Sequence, residues 1–193
     1  PQNIRQYFDV ETQFEPDVVI SDFESWSWHI PKRHRLPLIC IDNIQIINRC
    51  RHDKNIIGVD KRDFKLTRNI VRAKCPNADH YLVTSFFFPE VRKKKTTLVP
   101  PILRQDILDI QPRDGEHLLV YQTSETYAKL PKMLKKLDRP VYIYGLRKDI
   151  TEDVTEGNLT WRPFSETQFV EDLATCAGVI ASAGFTLLGE AVH

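Results

Sequence analysis

Short apolar runs without polar alternation recur along the chain, separated by amphipathic or irregular stretches. Residues 17–21, Asp-Val-Val-Ile-Ser, are β-branched in the middle and predict a strand buried in a parallel sheet. Residues 38–41, Leu-Ile-Cys-Ile after Pro37, predict a second. Residues 62–75 predict a helix whose apolar stripe is Phe64, Leu66, Ile70, Val71 and Cys75, with Pro76 as its stop. Residues 81–85 and 96–99 predict two further strands, the latter ended by Pro100 and Pro101.

The pattern then breaks. Pro100, Pro101, Pro112 and Asp114-Gly115 punctuate a stretch with little periodicity, which places a domain connection over 101–115. It separates a unit at 1–100 from one at 116–193. In the second, strands are expected at 117–121, 141–144, 158–161 and 178–182, with helices at 126–137, 166–176 and from 185. Ser165 and Gln168 have capping-box spacing at the start of one of these helices. Strands alternating with helices imply parallel pairing and right-handed crossovers. The fold class is therefore α/β, with two partial Rossmann-like domains.

Composition adds bounds. The chain has 193 residues, 41% hydrophobic and 27% charged, as an ordinary soluble globular protein has. No run approaches the roughly 18 apolar residues of a membrane span. Residues 1–5 carry neither an initiator Met nor a signal-peptide core, which reads as truncation or processing. Cys40, Cys50, Cys75 and Cys176 are widely spaced without a CxxC pair, so free thiols in a reducing cytoplasm are expected. The six histidines lack HxxxH spacing, and no metal site is expected. Charge is uneven: residues 1–100 hold 17 Lys+Arg against 12 Asp+Glu, and residues 101–193 hold 10 against 14. The densest basic cluster is Arg92-Lys93-Lys94-Lys95, either a solvated strand end or a contact for phosphate or an anionic membrane. No aromatic ladder is interleaved with it, so nucleic acid is not an expected partner.

In parallel α/β sheets, ligands bind at the carboxyl ends of strands. That rule selects Gln122, Thr123 and Ser124 after the first strand of the second unit, and Gly145 after the next. Arg162 and Phe164 follow the third, where Phe164 can pack on a nucleobase or on the core. After the fourth come Ser182, Gly184, Phe185 and Thr186, small residues and a glycine at a helix start, a combination suited to a diphosphate. Glu190 lies six residues past Gly184, within reach of a ribose hydroxyl. There is no complete GxGxxG and no Walker lysine, which disfavours a P-loop NTPase.

The segment Ser182-Ala183-Gly184-Phe185-Thr186 with Glu190-Ala191 resembles the donor-binding motif of GT-B glycosyltransferases, especially UDP-sugar transferases such as the peptidoglycan N-acetylglucosaminyltransferase and the glucuronosyl/glucosyltransferases. The resemblance extends in order along the chain. Residues 16–22 are similar to an N-domain strand ending in an acidic residue, and 36–43 to the next strand on the acceptor side. Residues 98–102 resemble the crossing into the donor domain, and 161–164 the base-binding turn. Ser182 stands where many relatives have His, and Thr186 where plant members have Asn. By this comparison both domains are partial: the first lacks its opening strand and glycine-rich loop, the second everything after His193.

The resemblance implies transfer of a sugar from a nucleotide-sugar, UDP-linked, to a hydroxyl acceptor: a sugar, a lipid-linked or a small molecule. It implies no cofactor beyond the donor itself and no strict need for a metal. Gly184 would lie near the diphosphate and Glu190 at the ribose. Asp22, Glu24 and Asp42 are candidate bases for the acceptor hydroxyl, with Trp26, His29 and Asn43 on the acceptor side. A cytoplasmic location is expected, with peripheral association at the inner membrane face compatible with a lipid-linked acceptor. Two alternatives share the fold: a nucleotide-sugar 2-epimerase, and a non-catalytic nucleotide-sugar-binding or partner-dependent subunit. As a piece cut inside its last helix, the chain alone is expected to be inactive.

Overall fold

The computed structural model describes residues 14–58, 60–124, 127–182 and 184–193. The amino-terminal residues 1–5, Thr126 of the expected helix at 126–137 and Ala183 of the glycine turn lie outside the described residues. The chain forms two compact units, Pro1–Pro101 and Ile102–His193.

In the first unit, β1 (Val19–Ser21), β2 (Leu38–Asp42), β3 (His80–Thr84) and β4 (Thr96–Val99) form one sheet in the order β1-β2-β3-β4. All three pairings are parallel, with Ile20 beside Ile39, Ile41 beside Leu82 and Leu82 beside Thr97. Leu38, Cys40, Tyr81 and Val83 pack with Cys75 and Ala78 in one core layer. The helix Lys61–Lys74 uses only part of its expected apolar stripe: Val71 and Cys75 are buried, whereas Leu66 and Ile70 are 60% and 52% exposed. Residues 70 and 71 point about 100° apart on a helix, so one row faces the sheet and the other does not. The helices His29–His34, Ile46–Arg49 and Lys54–Ile57 are too short to print a periodic stripe, and the apolar pattern does not anticipate them.

The second unit holds β5 (Leu118–Tyr121), β6 (Val141–Tyr144), β7 (Val154–Glu156), β8 (Leu159–Arg162) and β9 (Gly178–Ala181) in the order β7-β8-β6-β5-β9. All pairs are parallel except β7 with β8, a hairpin turning at Gly157 (φ 66°). Side chains alternate across a strand, and both faces are covered. Leu119 and Tyr144 pack with Phe169, Val170, Leu173 and Leu187 on one side; Val120, Val141, Ile143, Leu159 and Trp161 pack with Leu134 on the other. Burial on both faces explains the unbroken apolar runs, each buried Leu or Ile contributing roughly 1.5–3 kcal/mol.

The stretch expected as a connection carries structure of its own. The helix Gln105–Asp109 places Ile107, 4% exposed, against the Phe169–Leu187 core. The Arg113 N–H donates to the Ala174 carbonyl at 2.8 Å. The helix expected at 126–137 forms only over Leu130–Leu134, with Pro131 tolerated in its first turn. Ser165 caps Glu166–Ala174 as its spacing suggests, its Oγ accepting from Gln168 N at 3.3 Å.

Candidate active site

The topology of the second sheet singles out one crevice. From β5 the chain steps outward to β6 and then β8, and returns to lay β9 on the other side of β5. Ligands in such sheets bind outside the carboxyl ends of the strands where the winding reverses. A pocket of about 280 Å³ lies there, lined by Tyr121 from the end of β5, by Phe164 and Glu166 after β8, and by Gly184, Phe185, Thr186 and Glu190 after β9. Phe169 forms its apolar floor, edge-on to Tyr121 (5.6 Å) and Tyr144 (5.0 Å). Phe164 stands at the rim, 76% exposed.

Glu190 does not stand alone in this wall. Its carboxylate is gripped on both oxygens by Arg104, Nε to Oε1 at 2.7 Å and Nη2 to Oε2 at 2.9 Å. The Glu190 side chain is 3% exposed and that of Arg104 40% exposed, so the guanidinium is the wetter partner. The fork fixes the carboxylate plane and raises the Arg104 pKa further, chiefly through the hydrogen bond. Glu190 sits on the helix Phe185–Ala191, and Gly184 at its N-cap supplies no capping side chain.

Other expected contacts fall elsewhere. Gln122 Nε2 closes its own turn by donating to the Ser124 carbonyl at 2.9 Å, while Thr123 and Ser124 are exposed. Ser182 is exposed beyond β9, and neither it nor the 122–124 turn is among the residues lining the pocket. Gly145 has a backbone role: its φ is +88°, and a Cβ there would sit 2.8 Å from the Gln122 carbonyl oxygen. Arg162 is drawn into a buried polar network instead of the pocket. Its Nη1 donates to Asp153 at 2.7 Å, and its Nε lies 2.8 Å from Asp172 Oδ2 without the angle of a hydrogen bond. The Tyr144 hydroxyl donates to the same Asp172 oxygen at 2.5 Å. Burial pushes both the Tyr144 and Asp172 pKa values up.

In the first unit the candidate bases gather past the carboxyl ends of β1 and β2. Glu24 is engaged locally, Oε1 accepting from Ser25 N at 2.6 Å and Trp26 N at 3.1 Å. Asp42 is 5% exposed, accepting from Gln45 N at 2.6 Å and from the Cys40 thiol at 3.0 Å. Burial pushes its carboxyl above the ordinary value, and the nearby Asp22 charge adds to this. Asp22 itself is exposed, and among the described residues no hydrogen bond occupies it. His29 is sandwiched by Trp28 at 3.8 Å and Trp26 at 5.6 Å, with Trp26 51% exposed. Asn43, just past β2, is half-buried.

A family model described as glycosyl transferase family 1 matches residues 1–193. The chain belongs to glycosyltransferase family 1. No curated protein matches it. Membership supports glycosyl transfer as the general activity of this glycosyltransferase, on a Rossmann-like α/β fold with parallel sheets. Among the described residues no group of three His, Cys, Asp or Glu side chains is arranged to hold a metal ion, and no helix is long and apolar enough to cross a membrane.

Two residues lining this pocket are not marked in the sequence. Arg104 lies 86 residues from its partner in a stretch without periodic pattern, and only folding joins them. Glu166 reads as an ordinary first-turn helix acid, yet its place beside Phe164 puts a carboxylate at the pocket rim.

Proposed function

We propose that the glycosyltransferase moves a sugar from a nucleotide-sugar donor, UDP-linked, to a hydroxyl acceptor, and that the pocket at the β5/β9 switch point receives the donor. The observation that carries this is the convergence on that pocket of Phe164, Gly184, Thr186 and a doubly held Glu190. Phe164 offers an exposed ring for the base. Gly184 at the start of the last helix faces the diphosphate, its lack of a side chain allowing close backbone approach. Glu190 accepts from a ribose hydroxyl, and Arg104 holds it in the geometry to do so. The two units correspond to the donor and acceptor domains of a GT-B enzyme.

On the acceptor side, Asp22 is the favoured base. Glu24 is committed to its turn, and Asp42 is buried with both oxygens engaged. The stacked Trp26, His29 and Trp28 offer a surface for a sugar ring. The donor is a substrate, with no cofactor required, and the chemistry suits a cytoplasmic enzyme acting at the membrane face when its acceptor is lipid-linked.

Calorimetric titration of UDP and UDP-N-acetylglucosamine into the protein tests the donor assignment. Saturable heat that weakens at least about tenfold in Glu190→Gln is expected, since a hydrogen bond to a charged group is lost. Binding indifferent to that substitution rejects the ribose role. Product analysis with and without acceptor distinguishes transfer from epimerisation, for an epimerase converts donor with no acceptor present.

A further inference from the structure

The first unit has a second pocket, larger than the first and built of cations. It encloses about 810 Å³ and is lined by Arg49, Arg72, Lys93 and Lys95, and among the described residues no carboxylate belongs to its wall. It lies where Pro76–Ala78 and Lys93–Lys95 lead into β3 and β4, at their amino ends. The strand-end rule places substrates at the opposite edge, where Asp22 and Asp42 lie.

The basic residues are held in place. The backbone N–H groups of Arg92 and Lys93 both donate to the Arg49 carbonyl, at 2.9 and 3.2 Å. Lys93 Nζ donates to Asn48 Oδ1 at 2.5 Å. Arg49 is only 7% exposed, yet among the described residues its hydrogen-bond partners are neutral: Nε donates to Thr96 Oγ1 and Nη2 to the Lys94 carbonyl, both at 2.6 Å, and its guanidinium stacks on Tyr81 at 3.5 Å. A guanidinium held this deep without a counter-charge is costly. Asp79 accepts from the Leu38 N–H at 3.0 Å, and its other oxygen lies 3.8 Å from the exposed Lys95. Burial, then repulsion from Arg49, Arg92, Arg72 and Arg68, pushes the Lys93 pKa down. The amides of Asn69 and Asn77 add neutral donors to the same wall, while Asn48, whose Nδ2 donates to Gln45 Oε1 at 3.0 Å, is fixed as the acceptor for Lys93.

We propose that this pocket binds a small phosphorylated ligand, carrying at least two phosphate charges, at a site separate from sugar transfer. Arg49, Arg72, Lys93 and Lys95 supply the charge, and the Asn69 and Asn77 amides supply direction. Nucleic acid fits less well, since Tyr81 is 5% exposed beneath Arg49 and offers no face to a base. A membrane surface also fits less well. The exposed Phe87 and Phe88 follow the carboxyl end of β3, whereas Lys93 and Lys95 precede β4, about 16 Å away along a five-residue strand.

The test is a titration of the whole chain with inorganic pyrophosphate, followed by NMR at the side-chain amides of Asn48, Asn69 and Asn77 and at Arg49 Nε–H. Saturable shifts at these groups are expected, weakening with added salt and by at least about tenfold in Arg72→Gln/Lys93→Gln. Gln at position 93 retains a donor for Asn48, and the shift map of the unaltered protein stands even if the double variant folds poorly. Vesicles of phosphatidic acid, compared with phosphatidylcholine, test the membrane alternative, and their displacing pyrophosphate at a lower phosphate concentration overturns the small-ligand assignment. Absence of saturable shifts, equal affinity in a folded double variant, or displacement by a 20-mer oligonucleotide at far lower concentration overturns the proposal. None of these outcomes depends on the donor pocket being correctly assigned.

Discussion

Truncating Arg104 to Ala leaves the Glu190 carboxylate, 3% exposed, without the two hydrogen bonds that hold it. Hydrogen bonds to charged groups contribute about 1.5–3 kcal/mol net, and breaking a fully buried ion pair costs about 3–5 kcal/mol. Arg104 is 40% exposed, so water replaces part of the lost interaction and the figure must be discounted toward that of a surface pair. A cost of about 2 kcal/mol follows, or roughly 4–8 °C in Tm for a protein of this size. Urea unfolding of Arg104→Ala, Glu190→Ala and the double variant measures the coupling directly. Near-additive losses, with a coupling under about 0.5 kcal/mol, would refute the claim that the pair holds the pocket wall.

Two further substitutions probe the scaffold. Gly145→Ala forces a left-handed backbone on an L-residue and drives its Cβ against the Gln122 carbonyl, so a loss of about 2 kcal/mol or more is expected in urea unfolding; a neutral outcome contradicts the turn geometry. Asp42 has a folded-state pKa raised by burial, so its contribution to stability is fully present below the unfolded value and is lost as pH rises through the folded one. Asp42→Asn keeps an acceptor for Gln45 and does not ionise, so its stability relative to the unaltered protein should climb with pH across the acid range. A difference that falls as pH rises gives the opposite sign and rejects the assignment.

The strands β5 and β6 of the second unit are legible because they are buried on both faces, which leaves runs such as Leu118-Leu119-Val120 unbroken. β7 is not, since Val154–Glu156 is a half-exposed edge strand whose partner is set by the turn at Gly157. Position relative to strand ends brought out Phe164, Gly184, Thr186 and Glu190, all of which line one pocket. The same rule also selected Arg162 and Gly145, because strand ends hold network and turn residues as readily as ligand contacts. Arg104 was illegible for a different reason: its role depends on a partner 86 residues away, and nothing local marks it. The basic residues at 92–95 leave a solvated run and a phosphate or membrane contact both open in the sequence, and only folding brings Arg49 and Arg72 in beside Lys93 and Lys95.

The most direct test of the donor assignment is an NMR titration with UDP, reading the backbone amides of both units. Saturable shifts are expected at Phe164, Glu166, Gly184, Thr186 and Glu190, around the β5/β9 switch point, whether or not the basic pocket of the first unit also responds. Shifts confined to the basic pocket of the first unit, or none at saturating UDP, contradict the donor assignment.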